Sequence, residues 1–69
     1  MEKVKLKEEY IKLGQALKAV HFAASGVEAK MVILDGAVKV NGEVCLQRGK
    51  KLYDGDVVEY EGKSIKIEK

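Results

Sequence analysis

Ser25-Gly26-Val27-Glu28-Ala29-Lys30-Met31-Val32-Ile33-Leu34-Asp35-Gly36, followed at once by Ala37-Val38-Lys39-Val40-Asn41-Gly42, decides the fold. Ser25 with Glu28 three residues on reads as a capping box. The hydroxyl accepts from the third helical amide, and the carboxylate reaches back to the serine amide. Ala29, Val32 and Ile33 form the inner stripe of the helix that follows, and Gly36 ends it as a left-handed terminator. From Ala37 the period becomes two, and Asn41-Gly42 supplies a tight hairpin turn that needs positive φ at both positions. A helix over about 26–35 therefore runs straight into a hairpin returning through Glu43-Val44-Cys45-Leu46.

Upstream, Ile11, Leu13, Ala16, Leu17 and Val20 recur at helical spacing, which predicts a first helix over about 10–20. The period changes at Glu8, so Glu8 and Glu9 are expected at the positive end of this helix and Lys18 and His21 at its negative end. A short link at His21–Ala24 forces the two helices into contact. Before them, Val4 and Leu6 alternate with Lys3, Lys5 and Lys7 as a half-buried strand. Downstream, Asp54-Gly55-Asp56 marks a second turn, and Val57–Tyr60 with Lys63–Ile67 form another hairpin across Glu61-Gly62. The expected architecture is α+β: two packed helices followed by a small, mostly antiparallel sheet with an N-terminal strand.

The 69 residues make one domain, 1–69, with a modest core. Hydrophobic residues make up 46%, too many for a disordered chain, yet no apolar run is long enough to span a membrane. The N-terminus lacks a signal-peptide core, and the single cysteine, Cys45, has no partner for an internal disulfide. The protein is expected to be cytoplasmic, reduced and monomeric. Residues 12–51 carry seven cations against three acids, whereas 52–69 carry three against five. The basic middle attracts phosphate, although a solvated surface has the same composition.

Catalytic chemistry finds little support. His21 is the lone histidine and suits a helix end. Cys45 and His21 together fall short of a zinc ligand set. Asp54 and Asp56 around Gly55 fit a strand-to-strand turn better than a calcium loop. No glycine-rich phosphate loop opens a helix. The chain is read as a non-enzyme with no cofactor and no metal. Gln47-Arg48-Gly49-Lys50-Lys51 is different: three cations around a glycine with no acid among them. Long cationic side chains there can reach a phosphate backbone, and arginine can also fork onto one phosphate.

Lys12-Leu13, Leu17, Ser25, Glu28-Ala29-Lys30, Ile33, Gly36, Val38 and Val40-Asn41-Gly42, with Gly55-Asp56-Val57-Val58 closing the match, resemble the alpha-L RNA-binding motif over about residues 11–58. This is the domain named after ribosomal small-subunit protein S-four. It is found also in pseudouridine synthases, a tyrosyl-tRNA synthetase and a heat-shock ribosome factor. The Tyr10–Gln15 opening and the Arg48–Leu52 segment look most like the small stand-alone bacterial members. The resemblance implies a two-helix platform for structured RNA, ribosomal or tRNA-like. The matching contact positions are Lys12, Gln15, Ser25, Gly26 and Lys30, with Lys39 beside the turn. Gly14 stands where the family often has aspartate, Gly26 where it often has arginine, and Ala37 where it often has histidine. Arg48, Lys50 and Lys51 are expected to compensate by converging with Lys12 and Lys30 on one phosphate surface. The resemblance points to translation or ribosome assembly.

RNA duplexes hide their base edges, so a small domain reads backbone shape. A capped helix start suits a phosphate, and Gly26 there lets backbone come close. Tyr10, Tyr53 and Tyr60 are expected at the core edge, leaving no exposed aromatic pair for stacking single strands. The competing reading is a non-catalytic protein-protein adaptor with a ubiquitin-like sheet. Sulfur-carrier chemistry would need a Gly-Gly tail, where Ile67-Glu68-Lys69 stands.

Overall fold

The capped segment folds as a helix and the alternating segment after it as strands in the computed structural model, which describes residues 2–69. Nine elements follow in order. They are β1 (Glu2–Lys5), β2 (Ile11–Lys12), α1 (Leu13–Ala19), α2 (Gly26–Leu34), β3 (Val38–Val40), β4 (Glu43–Val44), β5 (Lys51–Leu52), β6 (Val57–Tyr60) and β7 (Lys63–Glu68). The main sheet has the order β1-β7-β6-β3-β4. All its pairings are antiparallel except β1–β7, which is parallel with Val4 opposite Ile67. β2 and β5 form a separate antiparallel pair, Ile11 opposite Leu52 and Lys12 opposite Lys51.

Both helices lie on one face of the sheet. Leu13, Ala16 and Leu17 of α1 and Ala29 and Ile33 of α2 bury against Val38, Val40, Val58, Ile65 and Ile67. Removing these apolar side chains from water is the main force holding the layers together. Because strand side chains alternate, Lys39, Glu59 and Ser64, which share one row, project from the opposite face.

Two turns adopt the conformation their residues demand. Asn41 (φ 52) and Gly42 (φ 85), and Glu61 (φ 50) and Gly62 (φ 75), are left-handed. Asn41 also joins two parts of the chain. Its Nδ2 donates to Asp56 Oδ1 at 3.0 Å, and its Oδ1 accepts from the Val57 amide at 2.9 Å. Asp56 Oδ2 in turn accepts from the Tyr53 amide at 2.8 Å. At the far end of the sheet, Tyr60 packs on Phe22 with centroids 6.0 Å apart. Loss of hydration, with the Glu61 carboxylate beside it, raises the Tyr60 hydroxyl above its ordinary value.

The first helix starts later than its periodicity predicts. Ile11 and Lys12 belong to β2, and the helix begins at Leu13. Glu8 and Glu9 thus precede a strand, and no acid occupies the first turn of α1. Its N-cap is Lys12, whose amide donates to Gln15 Oε1 at 3.2 Å. Lys18 does lie in the last turn, and His21 follows it in a left-handed conformation with φ 61. At α2 the serine half of the capping box is present, with the Glu28 amide donating to Ser25 Oγ at 3.2 Å. No return bond from the Glu28 carboxylate to the Ser25 amide forms among the described residues.

Candidate nucleic-acid interface

The β2–β5 pair fixes the geometry of the basic region. Past its two paired residues the contact continues, as the Leu13 amide donates to the Lys50 carbonyl at 2.9 Å and the Gly14 amide to the Arg48 carbonyl at 3.1 Å. The Gln47–Lys50 turn, closed by the Lys50 amide on the Gln47 carbonyl at 3.2 Å, is thereby held on the start of α1. Gly14 makes this approach possible. A Cβ at that position would lie 2.7 Å from Arg48 Cγ, so the glycine is the seat of the arginine stem.

A cleft of about 250 Å³ opens between this loop, α1 and the start of α2. Lys12, Gly14, Gln15, Lys18, Gly26, Arg48 and Gly49 line it. Three cations, three glycines and one amide make a lining without a carboxylate. The one ion pair among the described residues, Lys3 with Glu68 at 3.6 Å, lies far off on the sheet edge. The cleft cations are therefore unneutralised by protein, which favours an anion. At its α2 wall the Ser25 hydroxyl takes the Glu28 amide and the Ser25 carbonyl takes the Ala29 amide. The Gly26 and Val27 amides have no intramolecular partner among the described residues. A side chain built on Gly26 would meet nothing within 4 Å, so backbone faces open space there.

Of the residues singled out in the sequence, Lys12, Gln15, Gly26 and Arg48 come together in this cleft. Ser25 sits at its edge as the helix cap. Lys30 is exposed one helical turn beyond Gly26, on the same side of α2. Lys50 lines a different depression, toward the β3–β4 hairpin. Lys51 places its ammonium 4.9 Å from the centre of the Tyr10 ring. Lys39 projects from the outer face of the sheet opposite Glu59, away from both helices. Convergence is thus centred on Lys12 and Arg48, with Lys50 and Lys51 on the flanks. Lys18 is a cleft residue that sequence reading placed only at a helix end. Its spacing from Gln15 on the same helix side is the signal for it.

The tyrosines differ from expectation. Tyr60 is half-buried, but Tyr10 and Tyr53 are 38% and 43% exposed, with ring centroids 6.0 Å apart. An exposed aromatic pair exists, because Tyr10 ends the loop before β2 and Tyr53 directly follows β5, and the ladder carries both to the surface.

Comparison with known proteins decides the family. Residues 4–68 match the S4 domain. The chain belongs to the S4 domain family. YbcJ of Escherichia coli (strain K12) is 33% identical over 61 residues, covering 88% of this chain and 87% of YbcJ. The solution structure of YbcJ, reported to reveal an alpha-L motif involved in RNA binding, matches with a TM-score of 0.76 at 31% identity. It covers 100% of this chain and 89% of YbcJ. The alpha-L fold of this S4 domain, two helices and a mostly antiparallel sheet with an N-terminal strand, is therefore shared with YbcJ. RlbA of Bacillus subtilis (strain 168), by name a probable ribosome maturation protein, is 46% identical over 59 residues, 86% of this chain and 83% of RlbA. An uncharacterized RNA pseudouridine synthase of Aquifex aeolicus (strain VF5) is 42% identical over 52 residues, but these are only 21% of that enzyme. No helix among the described residues is long and apolar enough to cross a membrane.

Proposed function

We propose that this S4 domain binds structured RNA, ribosomal or tRNA-like, through the cleft between α1, α2 and the Arg48–Gly49 loop. It acts there without catalysis, as a monomeric cytoplasmic factor in ribosome assembly or translation. The observation that carries the reading is the convergence of Lys12, Lys18 and Arg48, free of acids, on a helix start with open amides. Kinship with YbcJ and RlbA supports it. Phosphates seated in the cleft position an RNA helix without reading its bases. Lys30 extends the contact along α2, and Lys50 and Lys51 along the loop.

The test is the salt dependence of binding to a folded RNA. Each phosphate contact releases condensed counterions. Replacing Lys12, Lys18 and Arg48 together by alanine should weaken binding and flatten the log–log salt dependence by about two units. The fold should survive, since exposed charges contribute little to stability. A triple variant with wild-type affinity and slope would reject the cleft. Binding insensitive to salt would favour the adaptor reading.

A further inference from the structure

We infer that the cleft walled by Tyr10 beside the phosphate cleft receives one unpaired nucleobase, so that this domain prefers RNA in which a bulged or loop nucleotide adjoins a duplex. The inference rests on the RNA-binding reading and adds a ligand subsite to it. A second cleft of about 340 Å³ lies on the other side of α1 from the loop. Leu6, Ile11 and Ala19 give it an apolar lining and Tyr10 an aromatic wall, and its polar rim holds Gln15 and two lysines against one carboxylate, Glu8. Gln15 lines both clefts. Its Oε1 is engaged by the Lys12 amide at 3.2 Å, which leaves its amide hydrogens to be shared by whatever enters.

Three features suit a base and its own phosphates over a free apolar ligand. The Tyr10 ring is 38% exposed and walls an apolar recess, so an aromatic surface is open to a ligand there. Its neighbours are Tyr53, at 6.0 Å between centroids, and the Lys51 ammonium, at 4.9 Å. The Lys51 ammonium lies over one face of the Tyr10 ring. An aromatic surface with a cation beside it is what binds single-stranded nucleotides, the uncovered part of the ring taking the base and the ammonium the phosphate. Finally, Lys51 lies directly opposite Lys12 across the β2–β5 ladder. From these neighbouring backbone positions Lys12 serves the phosphate cleft and Lys51 the Tyr10 ring, so one polyanion passing over the ladder meets both. The ladder thus links the phosphate cleft to the aromatic wall.

The experiment uses the full chain and two RNA hairpins that differ by one bulged 2-aminopurine. The wild type should bind the bulged hairpin roughly tenfold more tightly, within the range that stacking one base contributes. The fluorescence of the 2-aminopurine should be quenched on binding. Tyr10→Leu should bring the affinity for the bulged hairpin down to that for the paired one and abolish the quenching, whereas Tyr10→Phe should keep both. Equal wild-type affinities for the two hairpins with unquenched fluorescence would overturn the subsite and leave the cleft reading standing. Failure of both hairpins to bind would overturn the RNA-binding reading and the subsite with it. Should Tyr10→Leu disturb folding, the wild-type quenching still decides the question.

Discussion

Arg48 occupies the space where a side chain at position 14 would begin, so these two positions act as one unit. Gly14→Ala would put a methyl group 2.7 Å from Arg48 Cγ. Alanine favours the helix by about 1 kcal/mol over glycine, which offsets the crowding, and the arginine stem is free to swing away. The melting temperature should therefore move by only a few degrees, while RNA affinity falls to that of Arg48→Ala. The double variant should bind no worse than either single one, and that non-additivity is the measurement that identifies the pair. Sequence alone showed Arg48 as a loop cation and Gly14 as a departure from the family pattern. Their contact lies outside its reach, because it is made by a backbone bond between segments more than thirty residues apart.

Helix ends and short ladders carry most of the local specification. Ser25→Ala removes the one side-chain bond to the start of α2 and should cost ~1 kcal/mol, a fall of roughly 4–8 °C in melting temperature. Asn41→Ala should cost ~2 kcal/mol, since it loses both bonds across to Asp56 and Val57 and forces alanine into a left-handed turn. Chemical denaturation would measure both. α2 and the Asn41-Gly42 turn were legible because a cap, an apolar stripe and a turn dipeptide are all local signals. β2 was not: Ile11 stands two residues before Leu13, which is a strand step, but a two-residue strand leaves no pattern of its own, and only Leu52, far along the chain, selects it. The exposure of Tyr10 and Tyr53 follows from that same ladder and stayed hidden with it.

On the scale of the whole molecule, one cleft differs in charge from the sheet's outer face. The helix face carries the acid-free cleft, and on the outer face of the sheet Lys39 stands opposite Glu59 and Lys3 pairs with Glu68. Addition of RNA should therefore shift the amide resonances of Lys12–Lys18, Gly26 and Arg48–Gly49 and leave those of Lys39, Glu59 and Ser64 in place. Equal shifts on both faces would contradict a one-sided interface. The parallel pairing of β1 with β7 has a separate meaning for how the protein is made. The first strand has no partner until the last has been synthesised, so Val4 and Leu6 stay unburied while the helices and the β3–β4 hairpin can already form from neighbouring residues. Local contacts cost little loop-closure entropy, and this end-to-end one costs the most. Closure of the β1 edge should be the late step of folding, and hydrogen exchange should show that edge opening first in the native state.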